Sequence, residues 1–234
     1  MTQKIPLLLL PGLLCDRALW EPQIAALGDL ADCRVADLTQ ADSMAGMAAG
    51  VLSTAPDRFA LAGLSMGGYV SLEIMRQAPA RVLRLALLDT SARPDTPERI
   101  KQRKEQLSLC DQGEFVGVTR RLLPSWIHPA HMQDEALVEA VTSMTRRVGR
   151  DAFCRQVTAI MNRRDSRPTL PDIGCPTLVL CGHEDEATPP ELHREMAADI
   201  PNARLVIVPD CGHLSTMEQP ERVNKEMRIW LNRE

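Results

Sequence analysis

A serine flanked by glycines stands where an apolar run passes into a helical pattern. The stretch FALAGLSMGGYVSLEIM, residues 59–75, carries Gly63-Leu64-Ser65-Met66-Gly67 at this junction. A serine on a sharp turn between a strand and a helix needs small neighbours, because the two elements approach closely there. Such a turn lifts the hydroxyl clear of the sheet, at a helix N-terminus whose unpaired N–H groups stabilise negative charge. This context makes Ser65 a candidate nucleophile, whereas a G-x-S-x-G pattern alone also occurs by chance.

A serine hydroxyl is a weak nucleophile until a base removes its proton, so a histidine must lie within reach. His213 lies in LVIVPDCGHLSTMEQP, between the last apolar run and the last helical pattern. Loops at the carboxyl ends of parallel strands are where such folds assemble their sites. We therefore predict that His213 is the base. The other histidines are interpreted as surface or capping residues: His128, His131, His183 and His193.

Two carboxylates compete for the third position of this constellation. An imidazole base needs a carboxylate that fixes its tautomer and stabilises its protonated form. Asp185 follows an apolar run in TLVLCGHEDEATPPEL, and the order Ser65, Asp185, His213 is the nucleophile, acid and base order of one hydrolase fold. Asp89 ends the apolar run after the nucleophile's helix and is the alternative acid; its other interpretation is a loop or helix-capping hydrogen bond. We favour Asp185.

Short apolar runs alternate with helical patterns along most of the chain, which predicts a parallel sheet wrapped by helices. The runs are apolar throughout, as expected for parallel strands that are covered on both faces. Six strands are predicted, at residues 5–10, 33–36, 59–64, 85–89, 177–181 and 205–208. Five helices are predicted between and after them, at residues 19–30, 43–54, 66–77, 190–199 and 219–231. The fold class is therefore α/β, with a doubly wound, mostly parallel sheet.

The alternation stops over residues 91–173, a stretch too long for an ordinary crossover in a compact sheet. We predict an inserted helical cap there, with residues 1–90 and 174–234 forming the core. Apolar periodicity predicts cap helices at residues 95–109, 114–123, 137–148 and 153–161.

The cap is the basic part of the chain, with 14 Lys and Arg residues against 11 Asp and Glu residues. A group of its arginines is interpreted as a solvated helix surface, with contact to an anionic substrate or carrier as the alternative. These are Arg146, Arg147, Arg150, Arg155, Arg163, Arg164 and Arg167.

Composition narrows the classes of partner. The chain of 234 residues has a formal net charge of -4 at pH 7, which gives no basic footprint for nucleic acid or an anionic membrane. Its seven cysteines are odd in number and scattered, which predicts free thiols in a reducing compartment. We therefore expect a cytoplasmic protein that acts on a small molecule.

The opening segment LLLLPGLLCD, residues 7–16, has the apolar character of either a leader or a buried strand. A leader needs positive residues before its apolar run and a small residue at its cleavage position. Only Lys4 precedes the run, Pro6 and Pro11 interrupt it, and Leu14 stands where a small residue is needed. We predict a strand followed by a loop. No segment reaches the roughly 18 apolar residues that a membrane span needs.

Taken together, these segments resemble the alpha/beta-hydrolase superfamily, of the capped esterase type. The resemblance covers nearly the whole chain: the first strand and its loop, GLSMGG, LLDTSA, GHEDEATPP and PDCGHLSTMEQP. It implies the alpha/beta-hydrolase fold, with strand 5–10 between strands 33–36 and 59–64. Members of this superfamily usually begin with an antiparallel hairpin, whereas this chain starts at what would be their third strand. We therefore expect six strands, all parallel.

The resemblance also implies where an oxyanion would bind. The usual His-Gly of the oxyanion loop is Pro11-Gly12 here. Because the donors are backbone N–H groups, loss of that histidine need not abolish the site, and the expected donors are Leu13 and Met66.

The activity implied is that of a serine hydrolase cleaving a small carboxylic ester, or a related lactone or thioester, through an acyl-enzyme intermediate and without a cofactor. A receptor-like binding protein and an enzyme that cleaves carbon–carbon bonds are the alternatives, and the oligomeric state is left open. We expect the substrate pocket to involve Gly12, Leu14, Trp126, Ile127 and Phe153.

Two Cys-x-His pairs offer a metal site as a further alternative. Cys181 with His183 and Cys211 with His213 supply two thiols and two imidazoles, which is a zinc ligand set. Their spacing is not that of a zinc finger, and His213 is already assigned as the base. We therefore interpret the thiols as core residues and predict no metal.

Overall fold

The computed structural model describes residues 4–112, 115, 118, 120 and 122–233. Its centre is a sheet of six strands in the order β2-β1-β3-β4-β5-β6. All neighbouring strands run parallel. The strands are β1 (Ile5–Leu10), β2 (Ala31–Val35), β3 (Phe59–Leu64), β4 (Val82–Leu88), β5 (Thr177–Gly182) and β6 (Ala203–Val208). The predicted six-stranded parallel sheet and the place of β1 between β2 and β3 are confirmed.

Strands β1 and β3 have their predicted bounds, whereas β2, β4 and β6 begin two or three residues before the predicted positions. Charged side chains hide these starts in the sequence. Asp32 and Arg34 lie on the accessible face of the edge strand β2, where they form an ion pair of 2.9 Å. Arg84 and Arg204 likewise interrupt the apolar runs of β4 and β6 near their beginnings.

Helices cover both faces of the sheet. They are α1 (Glu21–Leu27), α2 (Met44–Thr54), α3 (Met66–Gln77), α4 (Pro97–Asp111), α5 (Glu135–Met161), α6 (Pro190–Asp199), α7 (Ser215–Glu218) and α8 (Pro220–Leu231). Leu7 and Leu9 of β1 belong to the apolar core under α1 and α8. Leu8 and Leu10 belong to the core under α2, α3 and α6. Alternate residues of one strand thus face opposite layers, which explains why the run is apolar throughout.

Helix α1 is shorter than the predicted helix over residues 19–30. A 3₁₀ turn, Arg17–Trp20, precedes it, and the α-helix begins only at Glu21. Pro22 lies in the first helical turn, where its missing N–H has no intrahelical acceptor to lose. The proline therefore marks the start of the α-helix.

The segment between β4 and β5 contains α4 and α5. Helix α5 is two helical stretches joined at Gly149, whose φ of 79° and ψ of 175° break the helix. The two stretches correspond to the helices predicted at residues 137–148 and 153–161. Half of the residues of the helix predicted at 114–123 lie outside the described residues, and Leu123–Ser125 form a 3₁₀ turn. The division into a core and a cap at residues 91 and 173 stays a prediction.

The sheet brings the ends of its strands together at one edge. Leu64, at the end of β3, pairs with Leu88 of β4, and Leu88 pairs with Leu180 of β5. Residues that follow these strands must therefore emerge side by side. Cys15, Cys33, Cys154, Cys175, Cys181 and Cys211 are free thiols. Across the described part of the chain, the helices are too short or too polar to cross a bilayer.

Candidate active site

Ser65 occupies a strained turn between β3 and α3. Its φ of 54° and ψ of -115° lie outside the common regions for an L-residue, a conformation that costs about 1–3 kcal/mol. The packing around the turn demands glycine on both sides. A Cβ at Gly67 would lie 2.0 Å from the carbonyl oxygen of Leu10, and a Cβ at Gly63 would lie 2.3 Å from the carbonyl oxygen of Gly67. These contacts are the physical reason for the G-x-S-x-G spacing.

The structure brings Ser65, His213 and Asp185 into one hydrogen-bonded chain. The Nε2 atom of His213 lies 2.9 Å from Oγ of Ser65. Its Nδ1 atom lies 2.9 Å from both carboxylate oxygens of Asp185. The three residues follow β3, β6 and β5, so the sheet edge alone brings them together. An imidazole placed in this way can accept the hydroxyl proton while the carboxylate stabilises the resulting cation.

Local contacts hold the acid and tune the base. Burial raises the pKa of Asp185, but the charge and hydrogen bond of His213 and the Thr188 contacts hold it below its ordinary value. The backbone N–H groups of Ala187 and Thr188 donate to Oδ1 of Asp185 at 2.9 Å, and the Thr188 hydroxyl donates to Oδ2 at 2.7 Å. Burial lowers the pKa of His213, but the charge and hydrogen bond of Asp185 outweigh it and raise that pKa above its ordinary value.

The two expected oxyanion donors belong to the loop after β1, which contains Leu13, and to the start of α3, where Met66 follows Ser65. Met66 is the first residue of α3, so its N–H has no acceptor within the helix. Leu14 has a φ of 57°, and its N–H donates to Oε1 of Gln156 at 3.0 Å. This bond uses the amide of Leu14, whereas Leu13, which lines the cavity above Ser65 together with Gly12 and Leu14, is the expected donor. Gln156 also donates to the carbonyl oxygen of Leu38 at 3.2 Å, so a buried amide from α5 holds the loop.

A cavity of about 370 Å³ opens at the hydroxyl of Ser65. Four of the expected pocket residues line it: Gly12, Leu14, Trp126 and Phe153. Ile127 is not among the described lining residues; it is 2% exposed and packs into the apolar core, where it approaches Gly212. That expectation is therefore wrong, because the turn at Leu123–Ser125 directs Trp126 to the cavity and its neighbour inward.

A family model for the alpha/beta hydrolase family matches residues 7–226 of the chain. The chain belongs to this family. This membership agrees with the strand order of the sheet, with the turn at Ser65 and with the order of Ser65, Asp185 and His213 along the chain.

This alpha/beta hydrolase is similar to several known enzymes. A thermophilic esterase from Thermogutta terrifontis is 32% identical, with a TM-score of 0.88 over 98% of this chain and 90% of that one. The enol-lactonase from Burkholderia xenovorans LB400 is 25% identical, with a TM-score of 0.84 over 99% and 92%. A pimeloyl-(acyl-carrier protein) methyl ester esterase from Nitrosomonas europaea is 27% identical over 77% of this chain and 74% of that protein. The protein is therefore a hydrolase of this family.

Asp89, the alternative acid, supports two loops of the hydrolase. Its carboxyl group is fully buried, and it accepts the backbone N–H of Gly182 at 3.0 Å and the hydroxyl of Ser215. Burial and then the charge of Asp185 raise the pKa of Asp89 well above its ordinary value. Asp89 thus ties the end of β5 to the start of α7, beside His213, and the structure places Asp185 at Nδ1 instead.

Glu218 is a supporting residue that the sequence analysis missed. Its buried carboxylate accepts the backbone N–H groups of Gly212 at 3.1 Å and Leu214 at 3.0 Å, the residues on either side of His213. It also accepts the backbone N–H of His128 at 2.6 Å and contacts Nδ1 of His131 at 3.0 Å. One side chain therefore joins the histidine loop to the segment before α5. Its position five residues after His213 is the only signal in the sequence.

We expect Glu218→Gln to lower the free energy of unfolding by about 2–4 kcal/mol. Glutamine offers one acceptor oxygen, and its amide hydrogens then face backbone donors that lose their partners. Urea titration measures the change at constant m-value. Glu221→Gln removes an exposed carboxylate of α8 and should change the stability by less than about 0.5 kcal/mol. Equal stability of Glu218→Gln and the wild type would contradict the role of this carboxylate.

The remaining histidines lie outside the hydrogen-bonded chain. His128 accepts the backbone N–H of Ala130 at 3.2 Å, which is the capping role expected of it. His193 is instead fully buried, which corrects its interpretation as a surface or capping residue. Its Nε2 atom accepts the backbone N–H of Thr90 at 2.9 Å, and burial lowers its pKa to about 4. Apolar neighbours on α6 bring this histidine inward with them.

The four residues of the proposed zinc set are engaged separately. His183 is exposed and contacts Glu184, whereas His213 contacts Ser65 and Asp185. Burial is the first cause that raises the pKa of the Cys181 and Cys211 thiols, so the thiolate forms that bind metal are disfavoured. Among the described residues, no group of three or more His, Cys, Asp or Glu side chains is arranged to hold a metal ion.

Proposed function

We propose that this hydrolase is a serine esterase that cleaves a small carboxylic ester, with lactones and thioesters as related substrates. The observation that carries the proposal is the hydrogen-bonded chain from Ser65 through His213 to Asp185, which opens on a cavity rich in apolar residues. Cavities of about 300–1,000 Å³ hold small organic molecules in proteins, and about 370 Å³ lies within that range.

Acylation begins with transfer of the Ser65 proton to Nε2 of His213. Oγ then bonds to the carbonyl carbon of the ester, and the carbonyl electron pair moves to the oxygen. The N–H groups of Leu13 and Met66 stabilise this oxyanion. When the oxyanion reforms the carbonyl, the bond to the alcohol oxygen breaks, and the leaving alkoxide takes the proton from His213. The acyl group remains on Ser65.

Deacylation repeats these steps with water as the nucleophile. His213 takes a proton from water, the hydroxide oxygen bonds to the acyl carbon, and the second tetrahedral species expels Oγ of Ser65. His213 returns its proton to Oγ, and the carboxylic acid leaves. Asp185 stabilises the imidazolium in both halves, and this sequence of steps needs no cofactor.

We expect steady turnover on a panel of 4-nitrophenyl acetate, butanoate and octanoate, the methyl esters of the same three acids, a γ-lactone and an acyl thioester. Release of the alcohol or thiol measures the rate, and loss of acid-stable labelling by a fluorophosphonate in Ser65→Ala identifies the nucleophile. Multiple turnovers with several of the oxygen esters support the esterase. A single turnover followed by retained product supports a receptor-like protein, and no acyl transfer to Ser65 from any member of the panel refutes the proposal.

A further inference from the structure

One face of helix α4 presents polar and charged side chains to the cavity at Ser65. Arg99, Arg103, Gln106 and Cys110 all line it, at spacings of four, three and four residues. This is the spacing of a single helix face. Arg99 and Arg103 are the only Arg, Lys, Asp or Glu residues among the described residues that line this cavity. The wall that faces the substrate therefore carries positive charge.

Among the described residues, carboxylates balance the charges of these two arginines only in part. Arg99 donates to a neutral group, the carbonyl oxygen of Ala187, at 2.8 Å. Arg103 pairs with Asp95, whose side chain is fully buried. The same carboxylate pairs with Arg163 at 2.8 Å, so one negative charge serves two guanidinium groups.

Contacts of Arg99 place the charged wall next to the reacting groups. Ala187, which accepts the hydrogen bond from Arg99, donates its own N–H to Asp185. Oγ1 of the next residue, Thr188, lies 3.4 Å from Nδ1 of His213, and Thr188 also lines the cavity. A ligand group at Arg99 is therefore close enough to belong to the same small molecule as an ester at Ser65.

An adjoining recess of about 340 Å³ shares this wall. Arg99, Arg103 and Gln106 line both spaces, and the recess also contacts Glu186, an exposed residue of the acid loop. The two arginines thus stand between the cavity at Ser65 and its outer extension. A substrate that reaches from one to the other passes both guanidinium groups.

Several of the arginines that the sequence analysis singled out contact other parts of the chain. Arg147 pairs with Asp16 at 2.8 Å, and Arg155 donates to the carbonyl oxygen of Thr39. None of that group of seven is among the described residues that line the cavity. The alternative that these arginines contact an anionic substrate is not supported by their positions, whereas Arg99 and Arg103 line the cavity at Ser65.

We propose that Arg99 and Arg103 bind a carboxylate group of the ester, so that the preferred substrates are monoesters of dicarboxylic acids or esters that carry a free carboxylate. The proposal rests on the proposed esterase function. Guanidinium groups donate paired hydrogen bonds that match the geometry of a carboxylate, and such charge-assisted bonds are stronger than neutral ones. The apolar residues of the cavity would contact the chain between the carboxylate and the ester.

The test compares monomethyl adipate with methyl hexanoate, which share the acyl chain length and the leaving alcohol and differ in one terminal carboxylate. The measured quantity is the ratio of their kcat/KM values, since damage to the fold lowers both values together. We expect the wild type to favour the adipate ester. Arg99→Met and Arg103→Met should each lower the ratio by about tenfold or more, mainly through KM for the adipate ester.

Matched controls lie on the same helix. Lys101→Met and Lys104→Met each remove one positive charge from exposed positions of α4 outside the cavity lining. They should leave the ratio unchanged, because exposed charges act weakly through solvent. Binding of both esters to Ser65→Ala, measured by calorimetry with and without Arg99→Met, gives the same comparison without turnover.

The outcomes separate this proposal from the proposed function. A fall of the ratio in the arginine variants alone supports the carboxylate site. An unchanged ratio in both, or an equal fall in the lysine variants, overturns it while the esterase function stands. If the wild type hydrolyses neither ester nor any other member of the panel, the esterase function fails, and the calorimetric comparison still decides whether Arg99 selects the carboxylate.

Discussion

Ser65→Ala should reduce kcat for 4-nitrophenyl butanoate by about 10⁴-fold or more. Removal of Oγ leaves no atom to form the acyl bond. Nε2 of His213, which lies 2.9 Å from Oγ in the wild type, then has no serine hydroxyl to deprotonate. Residual hydrolysis would come from water held by the oxyanion donors and the cavity. Steady-state release of 4-nitrophenolate measures the effect, with active-site titration to exclude traces of wild-type enzyme.

A matched control is Ser71→Ala, which removes a buried hydroxyl from helix α3. That hydroxyl donates to the carbonyl oxygen of Gly67 at 2.8 Å and does not contact His213. Most of the activity should therefore survive in Ser71→Ala. Hydrolysis by Ser65→Ala within about tenfold of the wild type would refute Ser65 as the nucleophile.

Asp185→Asn should reduce kcat by about 10³–10⁴-fold while the fold is retained. Nδ1 of His213 donates to the carboxylate of Asp185 at 2.9 Å, which leaves Nε2 free to accept the Ser65 proton. An asparagine amide directed at Nδ1 favours the opposite tautomer, in which Nε2 carries a proton and cannot act as the base. The lost negative charge also removes the stabilisation of the imidazolium.

The pH dependence of the reaction separates this electrostatic role from a structural one. Neutral His213 is the active base, so kcat/KM rises as the pH passes the pKa of His213 in the free enzyme. Because Asp185 raises that pKa, the wild-type midpoint should lie above 6.5. In Asp185→Asn, the negative charge that chiefly opposes the effect of burial on the pKa of His213 is lost. That pKa should fall, so the midpoint of the residual activity should move to lower pH. An unchanged midpoint would contradict the assignment of Asp185.

Asp89→Asn is the matched control for the second acid. Because burial and the charge of Asp185 raise the pKa of Asp89, a neutral carboxyl is favoured there, and asparagine resembles it closely. The amide oxygen can still accept the N–H of Gly182, and the amide N–H group can donate to Ser215. Activity should fall by less than about tenfold. A larger loss in Asp89→Asn than in Asp185→Asn would reverse the assignment of the two acids.

The parts of the fold that short-range physics determines could be predicted from the sequence. Strands β1 and β3 and helices α3 and α6 have the bounds that their apolar patterns and flanking residues predict. The turn at Ser65 belongs to the same class, because the contacts that require Gly63 and Gly67 arise within the strand, the turn and the neighbouring strand β1. Residue type and spacing were sufficient because the parallel sheet determines which segments contact each other at this turn.

The sequence also limited the site to a few residues, because Ser65, Asp89, Asp185 and His213 all follow strands of one parallel sheet. Parallel strands end at a common edge, so residues placed after them meet irrespective of their separation in the chain. Residue order alone left the second acid open between Asp89 and Asp185. Periodicity could have shown that Arg99, Arg103, Gln106 and Cys110 share a helix face, but it carries no information on what that face meets.

The amino-acid sequence by itself determined the α/β class, the six parallel strands, the strained serine turn and the chemistry available at the sheet edge. Only the tertiary structure decided which carboxylate meets Nδ1 of His213 and which residues between β4 and β5 face the cavity. It also decided that Glu218 holds both sides of the histidine and that Gln156 holds the loop at Leu14 from 142 residues away. The reason is that strand and turn preferences are local, whereas the direction of a buried side chain depends on packing between segments distant in sequence.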